Sequence, residues 1–381
     1  MKIVHVIPRA CIFEGMIKRY ADELGHECFF YSIKPRFGMD KRSFFALYQK
    51  SRKQPESLFV FHRVAHKVPL AMSFLVKDFR YALLYWGEDY YSTFLSEVAF
   101  EAHCLAKSPL LSAAHFERPD EKSRPALRQA MDSFIGLLAV KRAAGVSLCA
   151  KQFRFLRYFY FRSFGQALLT PQLRFRGYSP DWDTAEALSL HNANAQSLTV
   201  LICHSAAASV APRQTIELLR AYAARWGVRI HIRGFLSYSG GDEAYRDQLA
   251  QELVAQADFA ASVQFQRSFL SLSDLGQQLQ EADVAVFSCL RDEGVSLLTQ
   301  FVRLGGIVSF NRFSINYDFF KSFAPSKLLT HEQFLEHGLE QLKHKRMLPP
   351  TVPPPMVTFA DLEELCLDKG KLFLPNLKFL G

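Results

Sequence analysis

Two loops in the second half of the chain place small, hydroxyl and charged residues directly after apolar runs. The first follows Leu198–Cys203 and reads His204-Ser205-Ala-Ala-Ala-Ser209. A loop of small residues that runs into a helix N-terminus brings backbone N–H groups and hydroxyls against a diphosphate. An ordinary strand-to-helix turn is the alternative interpretation of this stretch.

The second loop follows the apolar run Val284–Ser288 and holds five residues of interest: Arg291, Glu293, Gly294, Val295 and Ser296. Glu293 suits hydrogen bonds from ribose hydroxyls, and Arg291 suits a phosphate oxygen. The N–H groups of the other three, at the start of a helix, favour an anion. A charged surface loop with ordinary capping is the alternative.

A third stretch, Lys151–Phe164, alternates arginines with aromatic residues. No Asp or Glu occurs from Ser133 to Pro180, which holds eight of the cations behind the net charge of +9. This pattern indicates contact with an anionic membrane surface, and the residues predicted to make it are Arg154, Arg157, Phe159 and Arg162. A nucleic-acid surface is disfavoured, whereas a Phe-rich core helix with arginines reaching solvent stays open.

Other reactive side chains do not form a recognisable site. His62 and His66 have the spacing of a metal pair, but no third ligand is evident, so we expect no metal. Ser205 and Ser296 lack the G-x-S-x-G setting of a hydrolase nucleophile. The seven cysteines form no C-x-x-C pair, which indicates reduced thiols and a cytoplasmic protein.

The elements that must position these residues predict an α/β fold. Strand-like runs alternate with helix-length segments through 381 residues, which favours two parallel sheets with crossover helices. We predict an N-terminal domain over 1–180, a doubly wound C-terminal domain over 198–348, and a Pro-rich linker with a helix crossing back over 349–381. Neither a signal peptide nor a membrane-spanning segment is expected.

The order of these stretches resembles the TDP-N-acetylfucosamine:lipid II N-acetylfucosaminyltransferase family, which builds enterobacterial common antigen. The matching segments cover roughly two thirds of the chain. They include Phe61-His62, Tyr85–Tyr91, Cys203-His204-Ser205, Ile232-Arg233-Gly234-Phe235, Asp242–Tyr245, Arg291, Gly294–Leu298 and Ile307–Arg312 with its Asn311.

The resemblance implies a GT-B glycosyltransferase with two Rossmann-like domains facing a cleft. It implies an inverting, metal-independent enzyme without a cofactor, which moves a deoxyamino sugar from a TDP- or UDP-sugar to a polyprenyl-diphosphate-linked saccharide. Its place would be the inner face of the cytoplasmic membrane, as a peripheral protein. The donor site would then use both loops and Arg233, Gly234, Phe235 and Asn311.

Inversion requires a general base on the acceptor side. Asp89 is the first candidate because it follows a strand, and Glu88 and His62 come next. Two other functions remain open. One is a transferase for a soluble glycan or protein acceptor, and the other is a catalytically silent scaffold, which the run Ala206–Ala208 would suit.

Overall fold

The computed structural model describes most of the chain in two compact units. The described ranges are 2–9, 14–34, 38–62, 66–85, 126–148, 150–173, 197–207, 210–237, 243–290, 294–322 and 324–348. The first unit contains those up to residue 173 and the second those from 197 to 348. The predicted domain boundary and the predicted crossing-back helix lie outside these ranges.

Each unit is built on a parallel six-stranded sheet. The first sheet has the order β2-β1-β3-β4-β5-β6. Its strands are β1 (Ile3–Pro8), β2 (Glu27–Tyr31), β3 (Leu58–His62), β4 (Arg80–Leu84), β5 (Gly145–Ser147) and β6 (Gln172–Leu173). The second sheet has the order β12-β11-β10-β7-β8-β9. Its strands are β7 (Ser197–Leu201), β8 (Arg229–Phe235), β9 (Ser262–Gln266), β10 (Val284–Phe287), β11 (Ile307–Phe310) and β12 (Leu328–Thr330).

Helices connect successive strands, as parallel pairing requires. In the first unit they are α1 (Glu14–Glu23), α2 (Lys41–Lys53), α3 (Lys67–Leu75), α4 (Ala126–Arg142) and α5 (Ala150–Phe164). In the second unit they are α6 (Pro212–Trp226), α7 (Glu243–Gln256), α8 (Leu272–Gln280), α9 (Val295–Arg303), α10 (Ile315–Lys321), α11 (His331–Glu336) and α12 (Leu339–Met347), with a 3₁₀ turn at Pro325–Lys327. The predicted α/β class with two Rossmann-like domains is confirmed.

Continuous apolar runs explain why these strands sit at the centre of each unit. Every residue of β1, β3 and β10 is buried, and all but Arg80 of β4 are buried too. Strands covered by helices on both faces have this composition, whereas an exposed sheet face would alternate polar residues.

Local capping fixes the starts of several helices. Asp40 accepts hydrogen bonds from the N–H groups of Arg42 and Ser43 at the start of α2. Ser271 accepts one from Asp274 at the start of α8, as its position before an apolar stripe predicts. Thr330 and Gln333 form a reciprocal capping box on α11.

Candidate functional site

The strand order of the second sheet reverses between β7 and β10. From β7 the next strands of the chain, β8 and β9, are added towards one edge of the sheet. From β10 the next strands, β11 and β12, are added towards the other edge. In open α/β sheets, ligands bind at the carboxyl ends of the two strands that flank such a reversal. The two loops singled out by the sequence leave β7 and β10 at this point.

The loop after β7 is held against neighbouring strands. The N–H of Phe235 donates to the carbonyl of Cys203 at 3.0 Å, and the hydroxyl of Ser205 accepts from the N–H of Ala207 at 3.3 Å. The imidazole of His204 stacks on Phe287, with ring centroids 6.1 Å apart. His204 and Ser205 are both buried. Ser209 lies outside the described residues.

The loop after β10 meets the first loop at Gly294. Gly294 has φ of +65°, and a Cβ atom on it would stand 2.9 Å from Nδ1 of His204. A glycine is therefore needed here for conformation and for space. Val295 begins α9, and the partly exposed Ser296 lies in its first turn. Arg291 and Glu293 lie outside the described residues.

Two helices begin beside the reversal. Helix α6 starts after Ala211, which adopts a left-handed conformation with φ of +54°, and α9 starts after Gly294. The left-handed conformation costs a non-glycine residue roughly 1 kcal/mol or more, and such strain is found most often near functional sites. Because a helix N-terminus carries unsatisfied N–H groups and a partial positive charge, the edge favours an anionic ligand.

A buried network supports this edge, and the sequence did not reveal it. The hydroxyls of Thr215 and Ser288 lie 2.9 Å apart, and the His331 ring lies 3.4 Å from Ser288 and 3.0 Å from Ser309. It links α6 to the ends of β10, β11 and β12. The four members of this network come from segments that are far apart in the sequence, so the sequence could not show that they meet. The hydroxyl of Ser288, directly after β10, was the one sequence signal.

The predicted donor residues on β8 have defined environments. Arg233 pairs with Glu281 at 2.5 Å, so a phosphate at Arg233 would have to compete with that carboxylate. Gly234 lies where a Cβ would be 2.6 Å from the sulfur of Cys203, which gives the glycine a packing role. Phe235 is buried at the end of the strand.

Asn311 follows β11 and organises the next turn. Its side-chain oxygen accepts from the N–H of Phe313 at 2.9 Å, and its carbonyl accepts from Ser314 at 2.8 Å. The Ile315 N–H then donates to the carbonyl of Leu290 at 3.0 Å. Asn311 is thus a positioning residue for the loop beside the reversal.

The first sheet has its own reversal, between β1 and β3. His62 is the last residue of β3, is buried, and has Nε2 2.8 Å from Nδ1 of His5. Burial and the neighbouring His5 lower the pKa of His62 well below its usual value, so the ring is neutral. Asp89 and Glu88 lie outside the described residues, so His62 is the one candidate base that the structure places.

Helix α5 carries the predicted membrane residues on an amphipathic surface. Arg154 and Arg162 are exposed, whereas Arg157 and Phe159 are partly buried. The most exposed aromatic side chains described on α5 are instead Tyr158 and Phe161, at 57% and 56%. The buried side is formed by Phe153, Leu156 and Tyr160, because residues four apart share one face of a helix.

The described ranges contain neither a metal-binding cluster nor a helix that could span a membrane. No group of three or more His, Cys, Asp or Glu side chains there could hold a metal ion. None of the helices described above is long and apolar enough to cross a membrane.

Comparison with solved structures identifies the fold. Sucrose-phosphate synthase from Thermosynechococcus elongatus aligns over 96% of this chain and 97% of its own, at 13% identity and a TM-score of 0.57. A UDP-forming trehalose-phosphate synthase from Burkholderia xenovorans aligns over 96% and 95%, at 12% identity and 0.55. HepE from Anabaena, in complex with UDP, aligns over 92% of both chains, at 11% identity and 0.54.

The chain therefore has an α/β fold with two Rossmann-like domains, which is the fold of these GT-B glycosyltransferases. No family model and no curated protein matches its sequence.

Proposed function

We propose that this protein is a glycosyltransferase that binds the nucleotide diphosphate of its sugar donor at the reversal of the second sheet. One observation carries the proposal. The loops after β7 and β10 meet there, at His204 and Gly294, beside the N-termini of α6 and α9. The likeness to a UDP-forming synthase and to a UDP-bound protein supports it.

Some of the proposed donor-site residues would contact the diphosphate, and others hold the loops that carry those residues. The N–H groups of Gly294, Val295 and Ser296 suit a phosphate oxygen, and His204 and Ser205 suit a second one. Asn311 and Gly234 hold the loops in place. Arg291, Glu293 and Ser209 complete the proposed donor set on sequence grounds, with Arg291 taking the charge-neutralising role that a metal has in other transferases.

The acceptor hydroxyl would approach from the first domain, where Asp89, Glu88 and His62 are the candidate bases. We propose inversion with a polyprenyl-diphosphate-linked saccharide as acceptor, following the resemblance to the N-acetylfucosaminyltransferase family. A trehalose-6-phosphate synthase of this fold transfers with retention, so the anomeric configuration of the product must be measured directly.

Binding of UDP and TDP, measured by calorimetry, tests the donor site. Gly294→Ala should weaken binding at least tenfold, or about 1.4 kcal/mol, because the new methyl group collides with His204. Gly227→Ala is the matched control. Gly227 has φ of +61° with no atom near its Cβ position, so the control carries the backbone strain alone.

Three results would contradict this assignment. They are equal losses of affinity in the two variants, no binding of either nucleotide, and binding by a fragment of the first domain alone. Sugar transfer that persists in excess EDTA would support the metal-independent mechanism, and abolition by EDTA would refute it.

We also propose that the first domain docks on anionic phospholipid through a surface that we call the aromatic–basic face. It comprises Arg154, Tyr158, Phe161 and Arg162 of α5, with Met131 and Phe134 of α4. The rings of Phe134 and Phe164 lie 5.8 Å apart, which joins the two helices into one surface. Arginines beside exposed aromatic rings match the charge and depth of a phospholipid head-group layer, which supports the proposal of a lipid-linked acceptor.

A further inference from the structure

A pair of buried hydroxyl groups joins the two loops of the proposed donor site. The hydroxyl oxygens of Thr215 and Ser288 lie 2.9 Å apart, and the N–H of Ser288 donates to the Thr215 hydroxyl at 3.3 Å. Thr215 belongs to α6, which follows the loop after β7, and Ser288 is the first residue after β10. The pair therefore links the helix that follows one loop to the beginning of the other loop.

Almost no solvent reaches this pair. Thr215 is completely buried, and Ser288 is 4% exposed. The His331 ring of α11 lies 3.4 Å from the Ser288 hydroxyl and 3.0 Å from that of Ser309 in β11. A hydrogen bond in such surroundings is costly to lose, because a buried group deprived of its partner cannot turn to water instead. The pair therefore resists any movement of α6 away from β10.

Both members lie close along the chain to the start of a helix. The N–H and the hydroxyl of Thr215 lie 3.3 and 3.2 Å from the carbonyl oxygen of Ala211, the left-handed residue that precedes α6. Ser288 begins the loop that ends at Gly294, where α9 starts. The hydrogen bond between Thr215 and Ser288 thus ties the first turn of α6 to the loop that leads into α9.

A diphosphate makes a stricter demand on this arrangement than a monophosphate does. Its two phosphate groups share one bridging oxygen, so the two sets of donors that receive them must keep a matching separation. In the proposed site one set lies at Gly294 and the first turn of α9, and the other lies in the loop between β7 and α6. A single phosphate needs only one of these sets.

We propose that Thr215 and Ser288 are positioning residues whose hydrogen bond sets the preference of the donor site for a nucleoside diphosphate over a nucleoside monophosphate. The inference rests on the proposed function, because it uses the donor site at the reversal of the second sheet. Neither residue has to touch the ligand. The pair holds α6 and the loop after β10 together, so that both sets of donors reach the diphosphate at once.

Calorimetric titration of the full chain with UDP and with UMP tests this preference. Thr215→Val keeps the volume of the side chain and removes the hydroxyl. It should weaken UDP binding about tenfold, which corresponds to about 1.4 kcal/mol, and should change UMP binding less than about twofold. Thr215→Ser keeps the hydroxyl and should restore most of the affinity for UDP. A general loss of packing would instead lower both affinities together.

Thr299→Val is the matched control. Thr299 lies on α9 and is completely buried, as Thr215 is, but its hydroxyl has no hydrogen-bond partner within the described ranges. The chemical change is the same in the two variants, yet only Thr215→Val removes a hydrogen bond. Thr299→Val should therefore bind both nucleotides as the wild-type protein does.

A double-mutant cycle on UDP affinity shows whether the two residues act through their shared hydrogen bond. Ser288→Ala should weaken UDP binding and spare UMP binding. The variant that combines it with Thr215→Val should lose little more than the larger single loss, because one bond can be lost only once. Ser288→Ala removes a single oxygen atom, so it tests the preference even if Thr215→Val does not fold.

Several results would overturn the positioning role. They are losses of UDP and UMP affinity by equal factors, wild-type affinity for UDP in both single variants, a comparable loss in Thr299→Val, and single losses that multiply in the combined variant. In each of these cases the wild-type protein still binds UDP, and the proposed function stands. If the wild-type protein binds neither UDP nor TDP, the proposed function fails and the positioning role fails with it.

Discussion

At the scale of single residues, the first domain holds neutral imidazoles where water does not reach. Burial lowers the pKa of His5 and His66 to about 3, with Asp132 partly opposing the shift at His66. In the unfolded chain these rings titrate near pH 6.5. The unfolded state therefore binds more protons between pH 6.5 and about 3, and the free energy of unfolding falls as the pH falls through that range.

This gives a prediction for acid stability. Lowering the pH from 7 to 5 should cost about 1–2 kcal/mol of unfolding free energy per buried histidine, measured by urea denaturation at both values. His66→Gln keeps a hydrogen-bonding group for Tyr85 without titrating, so it should reduce that loss by one histidine's share. His344→Gln should leave the loss unchanged, and an equal loss in both variants would refute the assignment.

The sequence located the two loops beside the strand reversal better than it located the contacts that these loops make. His204 and Gly294 could be chosen because residues after parallel strands gather at one edge. The contact between them, and the pairing of Arg233 with Glu281, depend on side-chain directions that sequence spacing does not contain. The contact between His5 and His62 was missed for the same reason, since the sequence does not distinguish His5 from any other residue of a buried strand.

At the scale of elements, the strands were predicted wherever an apolar run was long enough to be seen. The runs Leu58–His62 and Arg229–Phe235, for example, each form a strand over their full length. Strands β6 and β12 were not predicted, because two or three residues show no periodicity. Both are edge strands that depend on pairing with a preformed neighbour.

A buried lysine joins the ends of two helices in the second domain. Nζ of Lys327 donates to the carbonyls of Gly305, Lys345 and Arg346, at 3.1, 3.1 and 2.6 Å. These carbonyls close α9 and lie in the last turn of α12, where intrahelical donors run out.

Removing this lysine should therefore be costly. Lys327→Met should lower the free energy of unfolding by about 2–4 kcal/mol, because three buried carbonyls lose their charged donor. Lys343→Met on α12 is the control. Among the described residues Lys343 pairs with Glu340, whose side chain is 83% exposed, so its loss should cost under about 0.5 kcal/mol. Chemical denaturation of the two variants decides between a structural and an incidental role for Lys327.

At the scale of the whole molecule, positive charge is concentrated in one stretch of the first domain. The acid-free segment 133–180 holds eight of the 46 basic residues. Arg154 and Arg162 of this segment share the aromatic–basic face with Tyr158 and Phe161, so we expect electrostatic attraction and interfacial anchoring to act at the same place.

Flotation with phospholipid vesicles tests this surface. Binding should require anionic lipid and should weaken between 0.1 and 0.5 M salt, since each surface cation contributes about 1 kcal/mol and is screened. Arg154→Ser with Arg162→Ser should abolish the charge-dependent part, and Tyr158→Ser with Phe161→Ser should speed release.

Phe269→Ser is the matched control for the aromatic pair, because Phe269 is 69% exposed in the second domain. Equal binding to neutral and anionic vesicles at every salt concentration would contradict the docking proposal. So would a Phe269→Ser variant that loses binding as fully as the aromatic pair does.

The central position of β7 also dictates an order of assembly during synthesis. On one side of β7 lie β8 and then β9, which follow soon along the chain. On the other side lies β10, which comes much later: Thr199 and Asp283, which form a hydrogen bond between the two segments, are 84 positions apart. Half of the sheet is thus available for pairing while the ribosome is still making the other half, and closing the longer loop comes at a greater entropic cost. The proposed nucleotide site lies on the seam between the halves, so it forms only when the late half docks.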